Sequence, residues 1–595
     1  MSRPFTLTIH ARGSLALGGV TGVERDHHSA SARDAAGQPF IPATALRGVL
    51  RSNLEAVLRG ADCPACAGGT GLAPDAPAGA RPGPCTLGPE STRCLACRLF
   101  GGHHERLPDG AAFFSALVLS DAVRPDDAPP PAWTTRSTVG IRRDTRSARQ
   151  HVLAQQRVPT SGDELVFVAH GRLLEPDLEP CLSAAVSATT HIGAGRSRGL
   201  GRIECALCFD TPAEAPGIAV ESDSVRLRLR LVSPACIGVA FADDNLRDTR
   251  REIPGSALRG AIGFALAEAL DGMHTRERPD AAFERLVAED GARFGFLYPV
   301  DAKRVPLDAA PLPITTLGCK FERHQHPVVD GLLDAIAATL TDSAVIAARV
   351  HDTSHVYCQT CGAPLRTLRG PREHRSAVPT RTITRLAMDR QRGSARSEML
   401  FSQVLLEPGL HLEGSIDNIP TECRDRLALA LSRPLALGRG RAHGWGRVDV
   451  QVVPSLDLPP LPQRAAEFHH ALGERLARAG LSTAEATRWV PITLHAPMIP
   501  DADDEDGEQA ILRVLPDRVA YKARRFTREG GWDQREHGLQ PALAVAAGAV
   551  FAVQLPESAR LEDLLPRLAQ LERDGLGLRR HQGYGALRCF DPIHR

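Results

Sequence analysis

The residues with the clearest capacity for chemistry are cysteines in close pairs. Cys63-x-x-Cys66 and Cys94-x-x-Cys97 bracket a Gly/Pro-rich stretch. Two such knuckles supply four thiolates, the ligand set of a closed tetrahedral zinc site, and Cys85 between them is a spare ligand. A site of that kind is structural: it fixes a loop with too few apolar residues to pack by itself. Cys358 and Cys361 form a third knuckle, with Cys319 and His326 as expected partners and His324, His351 and His355 as rivals. Cys205 and Cys208 share the spacing but fall in a strand-like segment, where residues three apart point to opposite faces, and both are read as core.

A second chemistry lies in three loops of alternating glycine and cation. They read Gly193-Ala-Gly-Arg-Ser-Arg-Gly-Leu-Gly-Arg202, Gly438-Arg-Gly-Arg-Ala-His-Gly-Trp-Gly-Arg447 and Gly575-Leu-Gly-Leu-Arg-Arg-His-Gln-Gly-Tyr-Gly585. Glycine lets the backbone take positive φ and turn N–H groups toward an anion. Arg196, Arg198, Arg439, Arg441, Arg579 and Arg580, with His443 and His581, would add charge-assisted contacts to phosphate. Trp445 and Tyr584 either stack on bases or pack beneath their loops. A single loop of this kind reads as a tight turn with solvated arginines; three copies at matching places favour nucleic-acid contact. No Gly-Lys-Ser/Thr follows, so these are not Walker A loops.

The elements that must position these loops also repeat. Ile41-Pro-Ala-Thr-Ala-Leu-Arg-Gly48 matches Ile253-Pro-Gly-Ser-Ala-Leu-Arg-Gly260, and each opens an apolar helical stretch for which Thr44 and Ser256 are the expected N-caps. Phe5, Leu7 and Ile9, then Val225, Leu227, Leu229 and Leu231, then Val490, Ile492 and Leu494 alternate as half-buried strands do. Each unit thus opens with a strand and closes with a Gly-rich loop and a strand. The boundaries fall at 1–215, 220–455, a Pro-rich linker and helix at 456–484, and 485–595, where the third unit lacks the Ile-Pro element. Stretches 67–90 and 124–133 read as insertions or mobile loops.

Length agrees with this division. A single core rarely grows past about 250–300 residues, so 595 residues imply several domains. Net charge is only +1, yet just three of the 71 basic residues are lysines, Lys303, Lys320 and Lys522. Arginine's planar, bidentate donors suit phosphate and base stacking, and their clustering matters more than the total. No stretch approaches the ~18–20 apolar residues of a membrane span, and the start lacks a signal peptide's apolar middle, so a cytoplasmic protein is expected.

The Ile-Pro-x-x-x-Leu-Arg-Gly starts, Cys94-Leu-Ala-Cys-Arg-Leu-Phe-Gly101 and the late Gly-rich loops together resemble RAMP-superfamily CRISPR subunits. The first unit, with Arg136-Ser-Thr-Val-Gly-Ile-Arg142-Arg143-Asp-Thr-Arg146, is similar to Cas seven-like backbone subunits of type III effectors. Residues from about 220 onward resemble the Cas five-like subunit of type III-D systems, the Csx-ten type. The matching features are Pro311-Leu-Pro-Ile314, Cys319-Lys320, His326 to Asp330, the Cys358/Cys361 knuckle and Thr380-Arg381-Thr-Ile-Thr-Arg385. The order of motifs points to a fusion of the two kinds of subunit.

The resemblance implies an α+β chain of tandem ferredoxin-like (RRM-like, βαββαβ) domains with inserted zinc-knuckle loops. It implies binding of CRISPR guide RNA, its 5′ tag on the Cas five-like part and its first spacer segment on the Cas seven-like part. Target RNA, a large polymerase-like subunit and other RAMP subunits are the implied partners. Thr44, Arg47, Arg51, Ser256 and Arg259 at the helix starts, with Arg136, Arg142, Arg143, Arg381 and Arg385, join the loop cations as expected RNA contacts. Backbone subunits of this kind often cut target RNA with an aspartate in the loop before the Ile-Pro element. Here Asp26 lies slightly early and His28 stands nearer the expected place. Such an aspartate would activate a ribose 2′-hydroxyl or hold a Mg ion that does. Asp243, Asp244 and Asp248 in the second unit are weaker candidates. Two rivals stand beside this reading: a Cas six-like endoribonuclease using His443 or His581, and a scaffold with no RNA role.

Overall fold

The computed structural model describes residues 2–19, 29–34, 36–61, 63, 94–101, 115–160, 165–211, 217–239, 246–269, 281–301, 309–322, 326–341, 357–368, 378–389, 394–501, 507–515, 518–531 and 539–595. Three antiparallel sheets organise them, each with the same strand order. In the first, Phe5, Leu7 and Ile9 of the strand Arg3–Ala11 are at most 1% exposed, as their alternation predicts. That strand lies between Val166–Leu173 and Ile203–Phe209, with Leu7 opposite both Ala169 and Leu207, and Leu117–Leu119 forms the edge. The helix Ala43–Gly60 follows the first strand and Glu179–Ser187 the third, and Leu46, Leu50, Leu54, Leu58, Leu182 and Val186 seal the sheet's inner face.

The second sheet repeats the plan. Val225–Leu231 pairs with His411–Asp417 and Arg447–Val453, while Arg293–Phe294 and Tyr298–Val300 share the place of the second strand. Helices Gly255–Ala269 and Arg424–Leu431 cover it. On its other face Arg226 and Arg228 both reach the buried Glu413, at 2.7 and 2.6 Å, so these strand arginines neutralise an internal carboxylate. The third sheet orders Arg518–Ala523, Val550–Gln554, Trp489–Leu494 and Leu587–Cys589. Its core takes in Leu568 and Leu571 of the helix Leu561–Asp574, Leu461, Phe468, Leu472 and Leu476 of the helix Leu461–Arg478, and Leu332 and Ile336 from within the second unit. Arg475 on that helix ion-pairs with Asp334.

Each sheet carries a β-hairpin between its second and third strands. The three are Trp133–Ile141 with Ala148–Pro159, Thr380–Asp389 with Ser394–Leu406, and Phe526–Gly531 with Leu539–Val545. Among the described residues no helix is long and apolar enough to cross a membrane.

Two local expectations are corrected. Thr44 and Ser256 are not N-caps, because their helices begin at Ala43 and Gly255. The first helix instead has Pro42 at its N-cap, and its Ala43 N–H donates to Asp121 Oδ1 at 2.8 Å, a cap delivered from beyond the edge strand. Cys208 is exposed rather than core, whereas Cys205 packs against the first core and burial pushes its thiol up to about 11. Strand alternation separates the two.

Candidate nucleic-acid interface and metal centre

The Gly-rich loops share one backbone design. Each is a single 3-10 turn, Arg196–Arg198, Arg441–His443 or Arg580–Gln582, held between two left-handed residues. Those residues are Gly195 and Gly199, Gly440 and Gly444, and, in the third, Arg579 (φ 55°) and Gly583. A bridge anchors every turn to the segment after its unit's first strand: Ala194 N–H to Ala16 O at 2.8 Å, Arg439 N–H to Cys236 O at 2.9 Å, and Leu578 N–H to Ile499 O at 2.8 Å. The closing glycine is required by crowding as well as by φ. A Cβ at Gly201, Gly446 or Gly585 would stand 2.1, 1.9 or 1.7 Å from the carbonyl oxygen of Ile192, Leu437 or Leu576.

The side chains on these turns diverge. Arg196 and Arg198 are exposed, as are Arg439 and Arg580. Arg441 lies over the Phe264 ring, and burial lowers its guanidinium to about 9. His443 is held far below its ordinary value, at about 3, by burial and then by the charges of Arg47 and Arg385. His581 is buried at 8% exposure beside Gln582, and Arg579 is half-buried. Trp445 and Tyr584, each 2% exposed, pack beneath their loops: Arg385 covers the indole at 4.2 Å, and the phenol donates to Glu529 Oε2 at 3.2 Å.

The arginines of the two Leu-Arg-Gly motifs are engaged internally. Arg47 donates to Leu117 O at 2.6 Å and Phe100 O at 2.9 Å, and burial lowers it to about 10. Arg51 holds Glu55 at 2.8 Å and Gly101 O at 2.5 Å. Arg259 donates to Val287 O through Nε and Nη2. These groups tie each first helix to the segment that follows it, and Thr44 and Ser256 lie half-buried in the first turns. Arg381 pairs with Asp121 at 2.8 Å. Arg385 is lowered to about 10 by burial, and its Nε and Nη2 lack hydrogen-bond partners among the described residues.

One group of expected contacts faces outward together. Arg136, Arg142 and Arg143 are exposed on the first hairpin, and Arg142 and Arg143 lie in its connecting turn with Arg146 at φ 54°. At the hairpin's base Arg33 stacks on Trp133 at 4.2 Å and Arg157 approaches the same ring at 5.5 Å. This cation–aromatic base was not foreseen from sequence. An arginine-rich, outward hairpin can meet a phosphate backbone without displacing its own ion pairs. Asp26, His28, Asp243 and Asp244 lie outside the described residues; Asp248 is exposed and caps its own segment through Thr249 N–H at 2.7 Å.

The metal-ligand geometry is explicit for one of the two cysteine sets. Cys319, His326, Cys358 and Cys361 bring their donor atoms within 4.8 Å of one another. Cys319 Sγ is 3.6 Å from Cys361 Sγ, and Cys358 Sγ is 3.4 Å from His326 Nδ1. Cys319 ends the strand Thr316–Cys319, which pairs with Leu365–Thr367 beyond the knuckle. Cys358 N–H to Ala363 O at 2.7 Å and Gly362 N–H to Cys358 O at 2.8 Å close the knuckle, with Gly362 at φ 70°. The Glu322 N–H donates to Cys319 Sγ at 3.4 Å and holds that thiol below its usual range. For Cys358, burial acts upward but the N–H groups of Cys361 and Thr360 outweigh it, bringing the thiol to about 6. Three thiols and an imidazole so arranged can hold a metal ion. The rivals His324, His351 and His355 lie outside the described residues. In the other set Cys63 is exposed and Cys94 and Cys97 are buried, while Cys66 and Cys85 lie outside the described residues.

Comparison with known proteins bears on this architecture. Among solved structures the chain is similar to one chain of the cryo-EM structure of the Type III-B Cmr-beta bound to cognate target RNA, at 14% identity and a TM-score of 0.25. The match covers 35% of this chain and 60% of that one. No curated protein matches the sequence. A model of the RAMP superfamily matches residues 8–204 and 228–449, which are the first two of the three structural repeats. With two such segments in tandem over more than half of its length, this chain belongs to the RAMP superfamily.

Proposed function

We propose that the chain is a guide-RNA-binding subunit of a type III CRISPR effector complex. Its first unit acts as the Cas seven-like part and its second as the Cas five-like part, of the III-D, Csx-ten type, and all three units are read as ferredoxin-like. The observation that carries this reading is the tandem of RAMP units whose first member presents Arg136, Arg142 and Arg143 outward on one hairpin. That hairpin would follow the backbone of the first spacer segment and of the paired target, leaving sequence to base pairing. The second unit would hold the 5′ tag, with Arg385 as a donor whose Nε and Nη2 are unsatisfied among the described residues. Other RAMP subunits and a large polymerase-like subunit complete the assembly. Cys319, His326, Cys358 and Cys361 take a structural zinc ion, and Cys63, Cys66, Cys94 and Cys97 a second.

The test is binding of a repeat-tagged guide RNA by the full chain and by its Arg136→Ala/Arg142→Ala/Arg143→Ala variant across a salt series. For every phosphate that an arginine no longer neutralises, the salt slope should fall by about 0.7–0.9. The variant is expected to bind at least about tenfold more weakly at moderate salt, with a shallower slope. Equal affinity and slope would remove the hairpin from the RNA interface.

A further inference from the structure

The three turns held between left-handed residues are built alike, but among the described residues two are seated and one is open. The turn Arg441–His443 of the second unit sits on the first: a Cβ at Gly444 would lie 2.5 Å from Ser120 Cα and 2.9 Å from Leu119 O, at the end of the edge strand Leu117–Leu119. The turn Arg580–Gln582 of the third unit sits on the second in the same way. A Cβ at Gly583 would lie 2.5 Å from Phe294 O, and one at Gly255, the first residue of that unit's first helix, 2.4 Å from Gln582 O. The receiving notch is therefore the start of a first helix beside the end of a second strand; at Gly255 it has no room for a side chain after the proline, and the first unit has the small Ala43 at the matching place.

The hairpins obey the same rule. Arg381 on the second unit's hairpin reaches Asp121 of the first unit, and Glu529 on the third unit's hairpin meets Arg250 of the second, with Arg250 Nη2 donating to Glu529 Oε1 at 2.9 Å. In the first unit both devices stand open among the described residues. There a Cβ at Gly199, the counterpart of Gly444 and Gly583, would meet nothing within 4 Å, and Arg196, Ser197 and Arg198 are all exposed. Val139, Ile141 and Leu153 on the adjacent hairpin are 46, 54 and 52% exposed.

We propose that the turn Arg196–Arg198 is a protein-docking plug that seats in the notch of a RAMP-type unit belonging to another polypeptide. The receiving unit would carry an Ile-Pro-Gly or Ile-Pro-Ala helix start. A second copy of this chain does not fit. The notches of its first and second units are filled by its own turns, and between the first two strands of its third unit the sequence has no Ile-Pro-Gly or Ile-Pro-Ala motif. The seated turns also favour protein over nucleic acid at this position: Gly444 faces Ser120 and Leu119 of the first unit, and Gly583 faces Phe294 of the second. This inference rests on the reading of the chain as one member of a multi-subunit RAMP assembly.

The experiment places a benzophenone amino acid at Ser197 in the full chain, co-expressed with the RAMP-type proteins encoded beside its gene. The purified complex is irradiated and the cross-links are mapped by mass spectrometry. The expected product joins position 197 to a partner peptide at an Ile-Pro helix start or at the end of the following strand. Ser197→Trp, at an exposed tip, should leave the melting temperature unchanged and reduce co-purified partner at least tenfold. An intact complex in which position 197 cross-links to RNA, or to no RAMP-type partner, overturns the plug while leaving the guide-binding reading in place. A chain that purifies with neither partner nor RNA overturns both.

Discussion

Arg381 on the second unit's hairpin donates to Asp121 Oδ2 of the first unit at 2.8 Å, while Asp121 Oδ1 accepts the Ala43 N–H at 2.8 Å. One carboxylate therefore starts the first helix and receives the neighbouring unit. Both side chains are under a tenth exposed, so the ion pair is shielded from salt. Removing one partner of a buried pair costs about 3–5 kcal/mol, chiefly because the other charge is left uncompensated. Arg381→Ala should accordingly lower the first melting transition and speed hydrogen exchange at the Ala43 amide. Unchanged exchange at Ala43 would show that the pair does not couple the two units.

His443 supplies a pH dependence of defined sign. Burial, reinforced by Arg47 and Arg385, holds its ring at about 3, whereas the ordinary value is 6.5. Between those values the unfolded chain binds a proton that the native ring does not. Its contribution to stability is complete above about 6.5 and is lost progressively as pH falls toward about 3. Between pH 7 and about pH 4 the wild-type melting temperature should therefore fall more steeply than that of His443→Gln. Parallel curves would mean that the ring titrates alike in both states.

The cysteine–histidine cluster predicts its own loss of metal. Cys358→Ser should lower the metal content of the purified chain by one equivalent, measured by plasma mass spectrometry. Protons compete with metal for thiolates, so the metal content should fall as the pH is lowered. Chelation should loosen the pairing of Thr316–Cys319 with Leu365–Thr367 while the three main sheets, whose cores lie elsewhere, remain folded. Unchanged metal content in Cys358→Ser would remove this cluster as the site.

What the sequence made legible was local. Alternation in Phe5–Ile9 and Val225–Leu231 located two central strands, half-buried as their period implies, whereas the expected half-buried strand Val490–Leu494 is a central strand buried on both faces, Thr493 included. The Cys358–Cys361 knuckle was visible from spacing, and the fold brings Cys319 and His326 beside it, as a shared metal site would need. What escaped was set by contacts distant in sequence. The cap of the first helix comes from Asp121, 78 residues from Ala43, so Thr44 was a reasonable but wrong choice. Arg47 and Arg259 look like free cations in a motif, yet carbonyls brought near by the fold consume their donors. Glycine and arginine in the turns were read as an anion site, but the same φ angles also let a turn approach a neighbour's backbone, as Gly444 and Gly583 do. The third unit's core could not be foreseen either, since it recruits Leu332 and Ile336 from within the second unit.

The most direct test of the guide-binding role is to sequence the RNA that co-purifies with the chain expressed together with its neighbouring gene products. The account predicts short RNAs that share a CRISPR-repeat-derived 5′ tag and are depleted when Arg136, Arg142 and Arg143 are replaced. Protein that carries its RAMP partners but no repeat-derived RNA, even at low salt, would contradict it.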